Sequence, residues 1–256
     1  MKWPLSITLI RHGESEYNAL KKKKAENVTY QRFKKEFEKD YTSPETLRLA
    51  KIIKEKFALK TNDYKTNLTD TGAEQSRAIG KYLKNAIPCP DVILVSPYYR
   101  TRYTLWRMRE KWQELKNVAA FANDRIREQE HGLALLYNDR RVFQTFHPEQ
   151  KTLYDLLGPY WYQYPQGEST AQVCDRARSI TNTIIREYAN KHVMIITHHL
   201  TILAIRANYE RLTPEQFIEL DEKEKPINCG ITIYKGNPNA GENGKLELQC
   251  YNAKFY

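Results

Sequence analysis

Cysteine is scarce in this chain: four in 256 residues, at Cys89, Cys174, Cys229 and Cys250, with no close pair among them. That spacing argues against both a dense disulfide framework and a zinc site, and makes a reducing, cytoplasmic location the simplest expectation. Long apolar runs are also missing. None approaches the roughly 20 residues that a membrane-spanning helix needs, so no membrane partner is expected. The stretch from Met1 to Ile10 carries one basic residue, a proline and interleaved polar residues, which makes a poor secretory signal. Acidic residues are outnumbered, 31 against 41 Lys and Arg, leaving a net charge of +10. The excess favours anionic partners, whether phosphate esters, nucleic acid or acidic membrane, and does not choose among them. Hydrophobic residues are ample at 41%, enough for one sizeable core, so a single domain over 1–256 is expected.

Alternating patterns predict an α/β fold. Ser6 to Ile10 reads as a short buried strand that Gly13 breaks just after His12. A charged stretch from about 19 to 66 follows, with Lys21 to Lys24, then Tyr30, Phe33 and Phe37, then Leu47, Leu49, Ile52, Ile53 and Phe57, each apolar group at helical spacing. It is read as a helical insertion, and the lysine run as a solvated face. Thr69 or Asp70 caps the next helix, and Asp91 to Val95 is a second strand. Ser96-Pro97 is expected to open a helix carrying Arg100 and Thr104, with Ser96 as its cap. Val118 to Ala122, His192 to Thr197, Gly230 to Tyr234 and Leu246 to Tyr251 supply further strands, with helices beginning near Gly167, Leu200 and Pro214. The expected architecture is a three-layer α/β sandwich, its central sheet mainly parallel and flanked by helices, plus the helical insertion.

Ligands of open α/β sheets bind beyond the carboxyl ends of the strands. Three such ends deliver Arg11 with His12, Ser96-Pro97 with Arg100, and His198. Two arginines and two histidines suit a phosphoryl group, because guanidinium offers paired donors and stays charged. Neighbouring cations lower the pKa of His12 and keep it a neutral nucleophile. Arg11, Arg100 and His198 then stabilise charge on the phosphoryl oxygens, and Glu128, in the loop after the third strand, can supply the leaving group's proton. Glu130 is its nearby rival. Strand alternation sends His198 and His199 to opposite faces, so one of the two is structural; His198 is the candidate. His131, His147 and His192 are read as structural or exposed, and the tyrosines at 154, 160, 162 and 164 either pack together or wall a pocket.

These residues resemble the histidine phosphatase superfamily, also called phosphoglycerate mutase-like. Leu9-Ile10-Arg11-His12-Gly13-Glu14-Ser15 with Asn18 is similar to its opening motif. Leu68-Thr69-Asp70-Thr71-Gly72 with Glu74-Gln75, Ser96-Pro97 with Arg100 and Thr104, Glu128 four residues before Gly132, and Ile196-Thr197-His198 follow in the family's order. Tyr164-Pro165-Gln166-Gly167-Glu168-Ser169 resembles a segment of the branch that holds the fructose-2,6-bisphosphatases and related cytosolic phosphatases. The resemblance implies a phosphohistidine at His12, with Arg11, Asn18, Arg100 and His198 around the phosphate, and no metal or cofactor. Two departures stand out: His199, where glycine is usual, and the insertion at 19–66.

The leading function is hydrolysis of a small phosphorylated metabolite. A phosphoglycerate mutase is the rival within the same chemistry; Glu128-Gln129-Glu130-His131-Gly132 lacks the mutases' Asn-Glu-Arg-His-Tyr-Gly. A binding or regulatory protein using Lys21 to Lys24 and the insertion is the alternative of another class. Nucleic acid is disfavoured, since no base-reading module is recognisable. The sequence does not give the oligomeric state.

Overall fold

Ser6-Ile-Thr-Leu-Ile-Arg11 has the β-branched character of a strand buried on both faces, and it forms the centre of the sheet. The computed structural model describes residues 3–59 and 61–256. In chain order they form β1 (Ser6–Arg11), α1 (Glu16–Glu26), α2 (Val28–Lys39), α3 (Pro44–Lys56), α4 (Asp70–Ala86), β2 (Val92–Val95), α5 (Tyr99–Lys111), β3 (Ala120–Ala122), α6 (Arg140–Phe146), α7 (Pro148–Trp161), α8 (Thr170–Glu187), β4 (His192–Thr197), α9 (His199–Glu210), α10 (Pro214–Lys223), β5 (Ile231–Asn237) and β6 (Lys245–Ala253). Short 3-10 turns lie at Asp63–Lys65, Asp124–Ile126 and Gly132–Tyr137. Among the described residues, no helix is long and apolar enough to cross a membrane.

The chain divides into two compact units. The first comprises Met1–Ser15, Asp63–Glu128 and Val173–Tyr256; the second comprises Glu16–Asn62 and Gln129–Gln172. The first holds a six-stranded sheet of order β3-β2-β4-β1-β5-β6. β3, β2, β4 and β1 run parallel, and β5 and β6 add antiparallel strands beyond β1. One face presents Ile10, Ile93, Val95, Met194, Ile196 and Ile231 to Ile79 and Leu83 of α4 and to Leu105 and Met108 of α5. The alternate residues Leu9, Leu94 and Ile195 are equally buried on the opposite face, and α9 packs on β1. The mainly parallel α/β sandwich read from the sequence is therefore the architecture observed.

Register fixes the site. Arg11 lies opposite Thr197, and Ile10 is level with Ile196, itself level with Val95, so the carboxyl tips of β1, β4 and β2 share one edge. Just beyond β1, Gly13 meets α4 with no room for a side chain: a Cβ there would stand 2.4 Å from the Gly72 carbonyl oxygen. The cap of α4 is Thr69, whose hydroxyl accepts from the Gly72 amide at 3.1 Å; Asp70 takes the first turn. α5 departs from expectation. It starts at Tyr99, and Ser96 does not cap it, because the Ser96 hydroxyl is engaged with His198. The expected strand at Val118–Ala122 shrinks to three exposed residues, since β3 is an edge strand and Val118 turns instead toward the core.

In the second unit, the 19–66 stretch is helical as expected, apart from its end. Asn27 and Ser43 cap α2 and α3, and Tyr30, Phe33, Phe37, Leu49, Ile53 and Phe57 bury together with Val142 of α6. The lysine run corrects one expectation. Lys21 to Lys23 are exposed, but Lys24 is buried, with Nζ 2.7 Å from Asp139 Oδ2 and 2.7 Å from the Asn138 carbonyl. A buried ammonium keeps its charge only beside such a partner, and Asp139 also accepts from Tyr30 Oη. Of the tyrosines, Tyr154, Tyr162 and Tyr164 pack edge to face in sequence, and Tyr164 also lines a cavity of about 250 Å3 within this unit.

Candidate active site

His12 is buried at the tip of β1, held by main-chain bonds on two sides. Its amide donates to the Thr197 carbonyl at 3.0 Å, and the Cys229 amide donates to the carbonyls of Arg11 (3.0 Å) and His12 (3.2 Å). Asn228 Nδ2 donates to the same His12 carbonyl at 3.1 Å. On the imidazole itself, Nδ1 lies 2.7 Å from the Gly13 carbonyl oxygen. A carbonyl only accepts, so Nδ1 carries the proton and Nε2 keeps its lone pair. Burial first, then the charges of Arg100 and Arg11, hold the His12 pKa well below its usual value, so the ring is neutral near pH 7. The sequence pointed to the arginines; burial, the larger cause, is visible only in the fold.

His198, fully buried, stands edge-on to His12 with ring centroids 5.2 Å apart. Its Nε2 is 2.7 Å from Ser96 Oγ, a hydroxyl at the end of β2. Desolvation, then Arg100, depresses its pKa well below the ordinary range. His199 turns away, its Nε2 2.5 Å from Asp221 Oδ1. Of the two histidines left open by strand alternation, it is His198 that faces His12.

Arg11 donates through Nη1 to the Pro226 carbonyl at 2.6 Å. Arg100, on the first turn of α5, is fixed through its backbone as well: Thr104 Oγ1 donates to the Arg100 carbonyl at 2.7 Å and accepts from the Gly13 amide at 3.0 Å. Its guanidinium forms a two-pronged pair with the Asp63 carboxylate, at 2.9 and 3.3 Å, beneath the ring of Tyr98. Among the described residues, no partner takes the buried Arg11 Nε or His198 Nδ1. Buried polar atoms normally find partners, so these two orphaned nitrogens, of which Arg11 Nε is a donor in any state, suit a polar ligand next to a neutral His12.

Glu128 follows the 3-10 turn Asp124–Ile126 and is half-buried; the Arg11 pKa is lowered by burial, against which the Glu128 charge acts. Its rival Glu130 belongs to the other unit, where it is exposed and bound through its backbone to Glu168. Asn18 lies on α1 of that second unit. The remaining histidines have structural partners: His192 bonds Ser6, His147 bonds Tyr137, and His131 packs against Tyr164. Sequence reasoning missed Asp63, Ser96 as the partner of His198, and Asn228. Among the described residues, no cluster of His, Cys, Asp and Glu could hold a metal ion.

The tips of β1 and β4 and the first turn of α5 thus bring Arg11, His12, His198 and Arg100 to one edge of the sheet. The chain belongs to the histidine phosphatase superfamily, branch 1, whose family model matches residues 55–245. β1 and His12 precede the matched segment. Two relatives from Arabidopsis thaliana are similar: phosphoglycerate mutase-like protein AT74H is 28% identical over 63% of this chain and 62% of its own length, and phosphoglycerate mutase-like protein AT74 is 26% identical over 98% and 70%. The chain thus spans under two thirds of the first of them. Among solved structures, mycobacterial hydrolase 1 superposes with a TM-score of 0.66 at 16% identity, covering 97% of this chain and 99% of that one. A mycobacterial glucosyl-3-phosphoglycerate phosphatase, solved with VO3, gives 0.64 at 17% identity, covering 97% and 99%. At these identities the likeness shows a shared fold.

Proposed function

We propose that this enzyme hydrolyses a small phosphomonoester through a phosphohistidine at His12, with both units forming one histidine phosphatase domain. The carrying observation is a buried imidazole held as the Nδ1–H tautomer, with unpartnered Arg11 Nε and His198 Nδ1 beside it. His12 Nε2 attacks phosphorus; the N–P bond forms as the ester P–O bond breaks, and the Glu128 carboxyl passes its proton to the leaving oxygen. Water then attacks the phosphohistidine and gives its proton to the Glu128 carboxylate. The N–P bond breaks, phosphate leaves, and His12 and Glu128 regain their starting forms. Arg11, Arg100 and Asn18 bind the phosphoryl oxygens, and so does His198 Nδ1–H when the Ser96 hydroxyl donates to Nε2.

The resemblance of Tyr164 to Ser169 to the fructose-2,6-bisphosphatase branch supports a sugar phosphate, met in the cytosol. The mutase reading draws support only from the likeness to the two phosphoglycerate mutase-like plant relatives. A panel of phosphorylated metabolites, with His12→Ala as the blank, tests both. Release of free phosphate by the wild type alone is the expected result. Conversion of 3-phosphoglycerate to 2-phosphoglycerate without free phosphate would establish the mutase instead.

A further inference from the structure

Arg176 on α8 directs its guanidinium at backbone. Nη1 donates to the carbonyls of Arg125 (3.0 Å) and Arg127 (2.8 Å), and Nη2 to that of Glu128 (3.0 Å). Thr197 Oγ1, at the end of β4, takes the Ile126 carbonyl at 2.6 Å, and Thr201 Oγ1, on α9, takes that of Arg127 at 2.6 Å. Four consecutive carbonyls, 125 to 128, therefore accept from side chains of three different elements. Beyond the short turn Asp124–Ile126, whose backbone bonds end at the Arg127 amide, this segment belongs to no helix or strand, and these donors tie its carbonyls to the surrounding elements. A rigid guanidinium fork that spans three carbonyls fixes the orientation of their peptide planes, which a single ammonium on a flexible stem does not. Those planes in turn set the direction in which the Glu128 side chain leaves the chain.

We propose that Arg176 is a positioning residue for Glu128: its fork holds the 125–128 backbone so that the Glu128 carboxyl meets the oxygen of the leaving group. The inference rests on the reading of Glu128 as proton donor given above. It deepens that reading by assigning the donor's placement to a residue on another element.

The distinguishing readout is dependence on the leaving group. Aryl phosphates such as p-nitrophenyl phosphate depart with little need of a proton, whereas alkyl phosphates such as glycerol phosphate require one. Misplacing a general acid forfeits a contribution of about a hundredfold or more on the alkyl ester and little on the aryl ester. Hydrolysis of the phosphohistidine also uses Glu128 and is common to both esters, so losses are compared in kcat/KM, which reports the leaving-group step alone. Arg176→Ala and Arg176→Lys are expected to lose kcat/KM selectively on the alkyl ester, and added ethylguanidinium to restore part of the loss in Arg176→Ala. Glu128→Gln should show the same selectivity, and the double variant Glu128→Gln with Arg176→Ala should be no worse than Glu128→Gln alone. Where Arg176→Ala does not fold, Arg176→Lys and the milder Thr201→Val carry the measurement. Equal losses on both esters for the Arg176 variants, or wild-type behaviour of Arg176→Lys, would overturn the proposal while Glu128→Gln stays selective. Equal losses in Glu128→Gln itself would instead overturn the reading of Glu128.

Discussion

At the scale of single residues, the site is defined by which polar groups already have partners. Arg100 is taken by Asp63, from the tail of the charged stretch, through a two-pronged pair that a phosphoryl group bound as proposed would have to displace. Asp63→Asn removes the competing charge, so inorganic phosphate should inhibit that variant more tightly, by roughly tenfold or about 1.4 kcal/mol. Weaker inhibition would show that Asp63 holds Arg100 in its binding pose. The histidines carry a pH signature. His12 and His198 are both depressed in the folded state, chiefly by burial, so the unfolded chain binds protons first as pH falls. Their contribution is complete above about pH 6.5 and is lost below it, by up to about 1.4 kcal/mol per pH unit for each ring. Thermal unfolding between pH 7 and pH 5 should show a steeper fall of Tm in the wild type than in His12→Gln. Parallel slopes would mean that His12 is not held neutral by the fold.

At the scale of elements, the junction between β1 and α4 decides where His12 sits. A side chain on Gly13 would collide with the Gly72 carbonyl, and one on Gly72 with the Glu14 backbone. Gly13→Ala should cost about 1–3 kcal/mol through overpacking, read as a lower midpoint of urea unfolding. An unchanged midpoint would mean the junction gives way freely. Elements were the most legible part of the sequence. β4 falls on the residues read as His192 to Thr197, and the tips that carry Arg11, His12, Arg100 and His198 followed from strands ending at polar motifs. What escaped was tertiary. Ser96 has the local signature of a helix cap, yet a histidine 102 residues away claims its hydroxyl. Lys24 sits in a run that looks solvated and is buried by Asp139, 115 residues on. Arg176 binds carbonyls, which any residue offers, so no local pattern announces it.

At the scale of the whole molecule, a net charge of +10 fits the anionic ligand proposed, and the chain's family membership is consistent with it. The matched segment begins at residue 55, so the assignment of His12 rests on its motif and on its buried, oriented ring rather than on that match. The central claim is that phosphate passes through this ring. Rapid quenching of the enzyme during turnover into alkaline solution, followed by peptide mass spectrometry, tests it directly. The expected result is one added phosphoryl group on the peptide containing His12, stable to base, lost in acid and absent from His12→Ala. Steady turnover with no labelled peptide, or with the label on another residue, would contradict it.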